Sequence, residues 1–115
     1  MIRFLIPLKT RNPLNGAQGR SRGAMFAKAA RRKKERSTSR LCAIGSGGGS
    51  WVRVVSMTRL SAGRLDGDGL QAALKSVRDG IADALGVNDG SVAVWWVYAQ
   101  RRCKKGEFGV EVEIA

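Results

Sequence analysis

Five apolar residues, Leu70, Leu74, Val77, Ile81 and Leu85, recur in steps of four, three, four and four. That spacing draws a single stripe along a helix, and a helix apolar on one side needs a surface to cover it. β-Rich runs stand on either side. Trp51 to Leu60, WVRVVSMTRL, is strongly β-branched and predicts a central strand. From Ser91 to Gln100, Val92, Val94, Trp96 and Tyr98 alternate with Ala93, Trp95, Val97 and Ala99. A run apolar on both faces predicts a second central strand and a core role for each tryptophan. Gly86 supplies the helix stop, while Gly80 weakens the helix slightly.

The remaining elements assemble around this unit. Ile2 to Leu8 is short, apolar and partly alternating, with Pro7 marking a strand end or an edge position. The turn NPLNG, Asn12 to Gly16, follows. Gly23 to about Ile44 is rich in Ala, Arg and Lys and predicts a basic helix. GSGGGS, Gly45 to Ser50, is a flexible loop between a basic half, 1–44, and an acid-bearing half, 51–115. After the turn VNDGS and the run Ser91 to Gln100, RRCKKGE makes a loop or hairpin. Phe108, Val110, Val112 and Ile114 then alternate with Glu111 and Glu113 in a last strand with one wet face. The expected fold is α+β, in the order β-α-β-α-β-β, a mixed sheet with two helices packed on it. At 115 residues, either half alone is too small for a good core, so one domain spans 1–115.

Charge is distributed unevenly. Met1 to Leu60 holds 14 Lys and Arg against one acid, Glu35, whereas Ser61 to Ala115 holds 7 basic and 8 acidic residues. The net charge of +12 therefore belongs to the first half and points to a polyanionic partner, nucleic acid first. Lys28, Arg31, Arg32, Lys33 and Lys34 are the expected contacts to backbone phosphates, giving salt-sensitive affinity without sequence readout. A solvated basic helix face is the plainer alternative. No long apolar run spans a bilayer, and MIRFLIPLKT is too short for a signal peptide, so a cytoplasmic location is expected. Cys42 and Cys103 match no zinc or CxxC spacing and read as reduced packing thiols. Histidine is absent, which removes Ser-His and Cys-His nucleophile pairs and His-ligated metals. Hydrolytic chemistry must then rest on carboxylates with a hard metal, or on lysine.

The stretch RLDGDGLQ, Arg64 to Gln71, offers such carboxylates. In extended chain Asp66 and Asp68 would face the same side, and Asp89 enters the strand after the helix. If the three converge, they would hold Mg²⁺ or Mn²⁺, which prefer oxygen ligands and lower the pKa of a bound water. Helix geometry separates Asp89 from the pair by about 26 Å, so convergence requires the loops to fold inward. The structural alternative is an Asp68 N-cap with Gln71 completing a capping box, and Asp66 and Asp89 as turn residues beside glycines.

The run from Arg64 to Gly90, RLDGDGLQAALKSVRDGIADALGVNDG, resembles the RusA family of Holliday junction resolvases, in particular its phage and prophage branch. There an Asp-x-Asp-Asn-Leu motif opens a helix and an Asp-Asp turn follows it. The likeness extends to the N-terminal strand, the NPLNG turn, the basic helix and the closing Tyr98 to Arg102 run, YAQRR. It implies a homodimeric, Mg²⁺-dependent endonuclease that nicks four-way DNA junctions rather than acting on a small-molecule substrate; that no membrane partner is expected follows from the lack of a bilayer-spanning run. By position, Asp66 and Asp68 match the paired acids and Asp89 the second acid of the turn. The family lysine falls at Ala72, and Lys75, a turn further along, is the nearest substitute for a catalytic phosphate contact. Gly69 stands where the family has Asn, and Asn88 replaces the first acid of the turn. Two alternatives stay open beside the nuclease: a catalytically impaired binder of branched DNA, and a small basic interaction module.

Overall fold

The computed structural model describes residues 2–11, 22–46, 54–87 and 94–115. The elements run β1 (Ile2–Ile6), α1 (Arg22–Gly45), β2 (Val54–Ser61), α2 (Gly67–Leu85), β3 (Trp95–Arg102) and β4 (Gly109–Ile114), the expected β-α-β-α-β-β order. The NPLNG turn, residues 47–50 of the glycine-rich loop, Trp51 and residues 88–91 of the VNDGS turn lie outside the described residues.

The four strands form a single mixed sheet in the order β1-β4-β2-β3. β2 and β3 are parallel, a pairing that requires a crossover of a dozen or more residues, and α2 supplies it. β4 lies antiparallel between β1 and β2. The chain therefore leaves β3 and crosses the end of β2 before re-entering the sheet. Residues 103–108 are that crossing rather than a hairpin, with a left-handed Gly106 at φ 91°.

One face of the sheet carries the core. Ile6, Val55, Met57, Val110, Val112 and Ile114 pack against Leu70, Leu74, Val77 and Ile81 of α2, all essentially solvent-free. Each such side chain contributes roughly 1.5–3 kcal/mol on burial. The stripe that predicted the helix is the face that packs. Gly86 ends α2 in the left-handed region at φ 69°, its N–H bonded to the carbonyls of Ala82 and Asp83.

β3 is an edge strand, not a central one. Its two apolar faces have different causes. Trp96 and Tyr98 turn to the core, where Arg78 lies 4.8 Å from the Trp96 ring centroid and donates to the Tyr98 hydroxyl. Trp95 and Val97 lie on the uncovered face, and Trp95 is 73% exposed, against the core role expected of it. That face also carries the pairs Arg3–Glu113 at 2.9 Å and Arg101–Glu111 at 3.0 Å.

Among the described residues, α1 packs chiefly on α2 and meets the sheet at β1. Gly80 lies where the two helices cross: a Cβ there would collide with the Arg36 carbonyl oxygen and approach Ser39 Cβ to 2.9 Å. The residue that weakens the helix is what allows the helices to meet. Ser39 is buried at this contact with its hydroxyl donated to the Glu35 carbonyl, and Arg36 clasps Asp83 through two bonds of 2.7 and 2.9 Å.

Candidate functional site

Asp66, rather than Asp68, caps α2. Its backbone is extended, at φ −70° and ψ 173°, and Oδ1 accepts the Gly69 N–H at 2.7 Å. The helix starts two residues earlier than the capping box with Gln71 requires, because Asp66 meets an orphan first-turn donor across Gly67 and Asp68. Asp68 consequently lies inside the first turn and is exposed. The same-side argument for an extended pair does not hold, since helix neighbours two residues apart do not face each other. What joins the two carboxylates is their place at one end of α2. Asp89 lies outside the described residues, as does Asn88; Val87, the last described residue before them, is at the other end of α2. Among the described residues no three His, Cys, Asp or Glu side chains gather to hold a metal ion.

The connection between β2 and α2 is held from below. The Gln100 side chain accepts the Leu65 N–H at 2.9 Å and donates to the Leu65 carbonyl at 2.6 Å, pairing both backbone groups of the residue before Asp66. Arg59, buried, donates Nε to Thr10 Oγ1 at 3.0 Å, Nη2 to the Thr10 carbonyl and Nη1 to the Gly63 carbonyl. Burial pushes its pKa below the usual arginine value.

On the helical side, a cleft of about 510 Å³ opens between α1 and α2. Lys28, Arg32, Lys33 and Arg36 line it from α1, with Ala72, Lys75, Ser76 and Asp79 opposite on α2. Lys28, Arg32 and Arg36 follow at four-residue steps, one row with a cation about every 6 Å. Opposite, Asp68, Ala72, Lys75 and Asp79 are spaced four, three and four apart, so one face of α2 runs from the acid-bearing end into the cleft. Lys75 Nζ lies 3.5 Å from Asp79.

Of the five cations expected to hold phosphates, Lys28, Arg32 and Lys33 come together in the cleft. Lys34 is exposed outside it, and Arg31 turns inward to Glu35, at 3.7 Å. Glu35 is only 6% exposed; burial raises its pKa, and Arg31 and Arg32 oppose that rise. Asp83 goes the other way, held low first by its hydrogen bond from Arg36.

No protein-family model matches the chain, and neither does any curated protein or solved structure.

Arg36, Arg59 and Gln100 are the residues that sequence reasoning missed. Arg36 was within reach, since it extends the four-residue row from Lys28 and Arg32. Gln100 stands in the YAQRR run, but nothing local points from it to Leu65, 35 residues away, or from Arg59 to Thr10, 49 residues away.

Proposed function

We propose that the chain is a metal-dependent endodeoxyribonuclease acting on branched DNA as a homodimer, as its resemblance to the RusA family implies. The observation that carries the proposal is the stripe on α2, which leads from Asp68 past Ala72 to Lys75 and forms one wall of a cleft whose other wall is cationic. A phosphodiester backbone in that cleft would be held by Lys28, Arg32, Lys33 and Lys75, with the next phosphates leading toward the two acids.

Carboxylates suit Mg²⁺ or Mn²⁺, and Mg²⁺ commonly takes one or two of them together with waters and substrate phosphate. The cap on Asp66 uses Oδ1, and Asp68 is exposed, so both acids retain oxygen ligands for such an ion. Asp89 is the third acid of the proposal. A bound divalent ion would supply charge neutralisation at the phosphoryl group and acidify a water. Within one chain α2 sets about 27 Å between the Asp66 end and Val87, which is the reason a second copy belongs in the proposal. Preference for four-way junctions rests on the resemblance alone.

A synthetic four-way junction incubated with and without Mg²⁺ tests this directly. Nicking that requires the metal, and that Asp66→Asn and Asp68→Asn abolish while binding persists, is the expected result. Absence of nicking by the unaltered protein in both Mg²⁺ and Mn²⁺ would overturn the nuclease. A non-cutting DNA binder is the second reading, favoured by Gly69, which offers no side chain beside the acids, and by the capping bond already on Asp66. It predicts salt-sensitive binding with no cleavage in any divalent metal.

A further inference from the structure

We infer that Gln100 is a positioning residue for the proposed acid site, fixing where the Asp66 carboxylate sits by pairing with the backbone of Leu65. The inference rests on the metal-site proposal above and names a residue that touches neither acid.

The geometry is that of a strand partner supplied by a side chain. One carboxamide meets both the N–H and the C=O of a single residue, at 2.9 and 2.6 Å, so Leu65 is held as an additional strand would hold it. Asp66 follows directly and is fixed on its other side by the Gly69 N–H. Two tethers on adjacent residues leave the Asp66 backbone little freedom. A carboxylate that binds a metal ion must be placed to within about half an ångström, and supporting hydrogen bonds achieve this. Gln100 in turn stands on β3, at the register position opposite Arg59, whose guanidinium holds Gly63 in the same connection. The phosphate cleft lies away from this contact, between α1 and α2, and Gln100 does not line it.

Metal placement and nucleic-acid binding therefore separate. Gln100→Met keeps the length of the side chain and removes both hydrogen bonds. Mn²⁺ titrated into the full chain, with paramagnetic broadening of the Asp66 and Asp68 amide resonances as the readout, should require about 10- to 100-fold more metal in this variant. Affinity for a duplex oligonucleotide should remain within about twofold. Loss of both affinities together would mark a merely structural role and overturn the inference. Equal Mn²⁺ binding in the two proteins would overturn it while leaving the metal site standing. If the unaltered protein shows no broadening at Asp66 and Asp68, the metal site itself fails and the inference with it. Hydrogen exchange on the unaltered protein provides a check independent of the variant's folding: the Leu65 amide should be protected, and exchange as fast as in an unstructured peptide would refute the clamp.

Discussion

Arg59 and Gln100 are register partners across the parallel β2/β3 pair, and both side chains end on the connection that leads to Asp66. Arg59 reaches Gly63 and Thr10, and Gln100 reaches Leu65. Replacing Arg59 with Met would leave the buried Thr10 hydroxyl and nearby carbonyls without their donor, at a cost of about 3 kcal/mol. Urea unfolding should show a lower midpoint with an unchanged slope.

Two glycines of α2 should respond in opposite directions. At Gly80 an added methyl meets the backbone of α1, so Gly80→Ala is expected to destabilise by about 1–3 kcal/mol in spite of its better helix propensity. At Gly67 a Cβ meets nothing within 4 Å, and Gly67→Ala is expected to stabilise by about 0.5–1 kcal/mol. Thermal melts of the two variants compare them directly.

Capping and metal binding at Asp66 can be told apart by chemistry. Asn caps a helix as well as Asp, so Asp66→Asn should leave stability within about 0.5 kcal/mol while removing the ligand charge. Asp66→Ala should lose about 1 kcal/mol in addition. Denaturation curves recorded with and without Mn²⁺ read both effects, and a metal-induced rise in midpoint that survives in Asp66→Asn would exclude Asp66 as a ligand.

Salt dependence reports on the cleft. Each duplex phosphate contact contributes about 0.9 to the slope of log affinity against log salt. Lys28→Gln, Arg32→Gln and Lys33→Gln should each flatten that slope by about one contact, whereas Lys34→Gln, outside the cleft, should change it least. Fluorescence anisotropy with a labelled duplex at several salt concentrations measures this.

Glu35 gives the fold a pH dependence of its own. Its pKa is raised in the native state, so the folded chain holds that proton more tightly than the unfolded one. The Glu35 contribution is therefore most favourable below the ordinary carboxylate range and diminishes as pH rises through the raised native value. Asp83, held low by Arg36, contributes in the opposite sense: its stabilisation is present above the ordinary value and is lost as pH falls through the lowered one. Glu35→Gln should remove the decline toward neutral pH, as measured by urea titrations between about pH 4 and 8.

What could be read from the residues alone was whatever repeats at short range. The stripe from Leu70 to Ile81 marked α2 and the face it buries, and Pro7 marked the end of β1. The position of β3 could not be read in this way, because alternation records that both faces are apolar and not whether either is covered. Trp95 is the consequence. Gln71, three residues on, offers Asp68 as the alternative cap; the Gly69 amide instead selects Asp66, a choice that depends on where the chain enters from β2. The cleft required α1 to lie on α2, and that contact turns on Gly80, whose missing side chain leaves no periodic signal.

Ile2 and Ile114 face each other across the β1/β4 ladder, and the same β4 also pairs with β2. Two of the three ladders in the sheet thus wait for a strand that follows β1, β2 and β3 in the chain. A ribosome-bound chain lacking it can form α2 and a bare β2/β3 pair, with the underside of the core open. Closing loops of this span is slow, and removal of residues 109–114 would not trim an edge but take out an interior strand, leaving β1 without a strand to pair with.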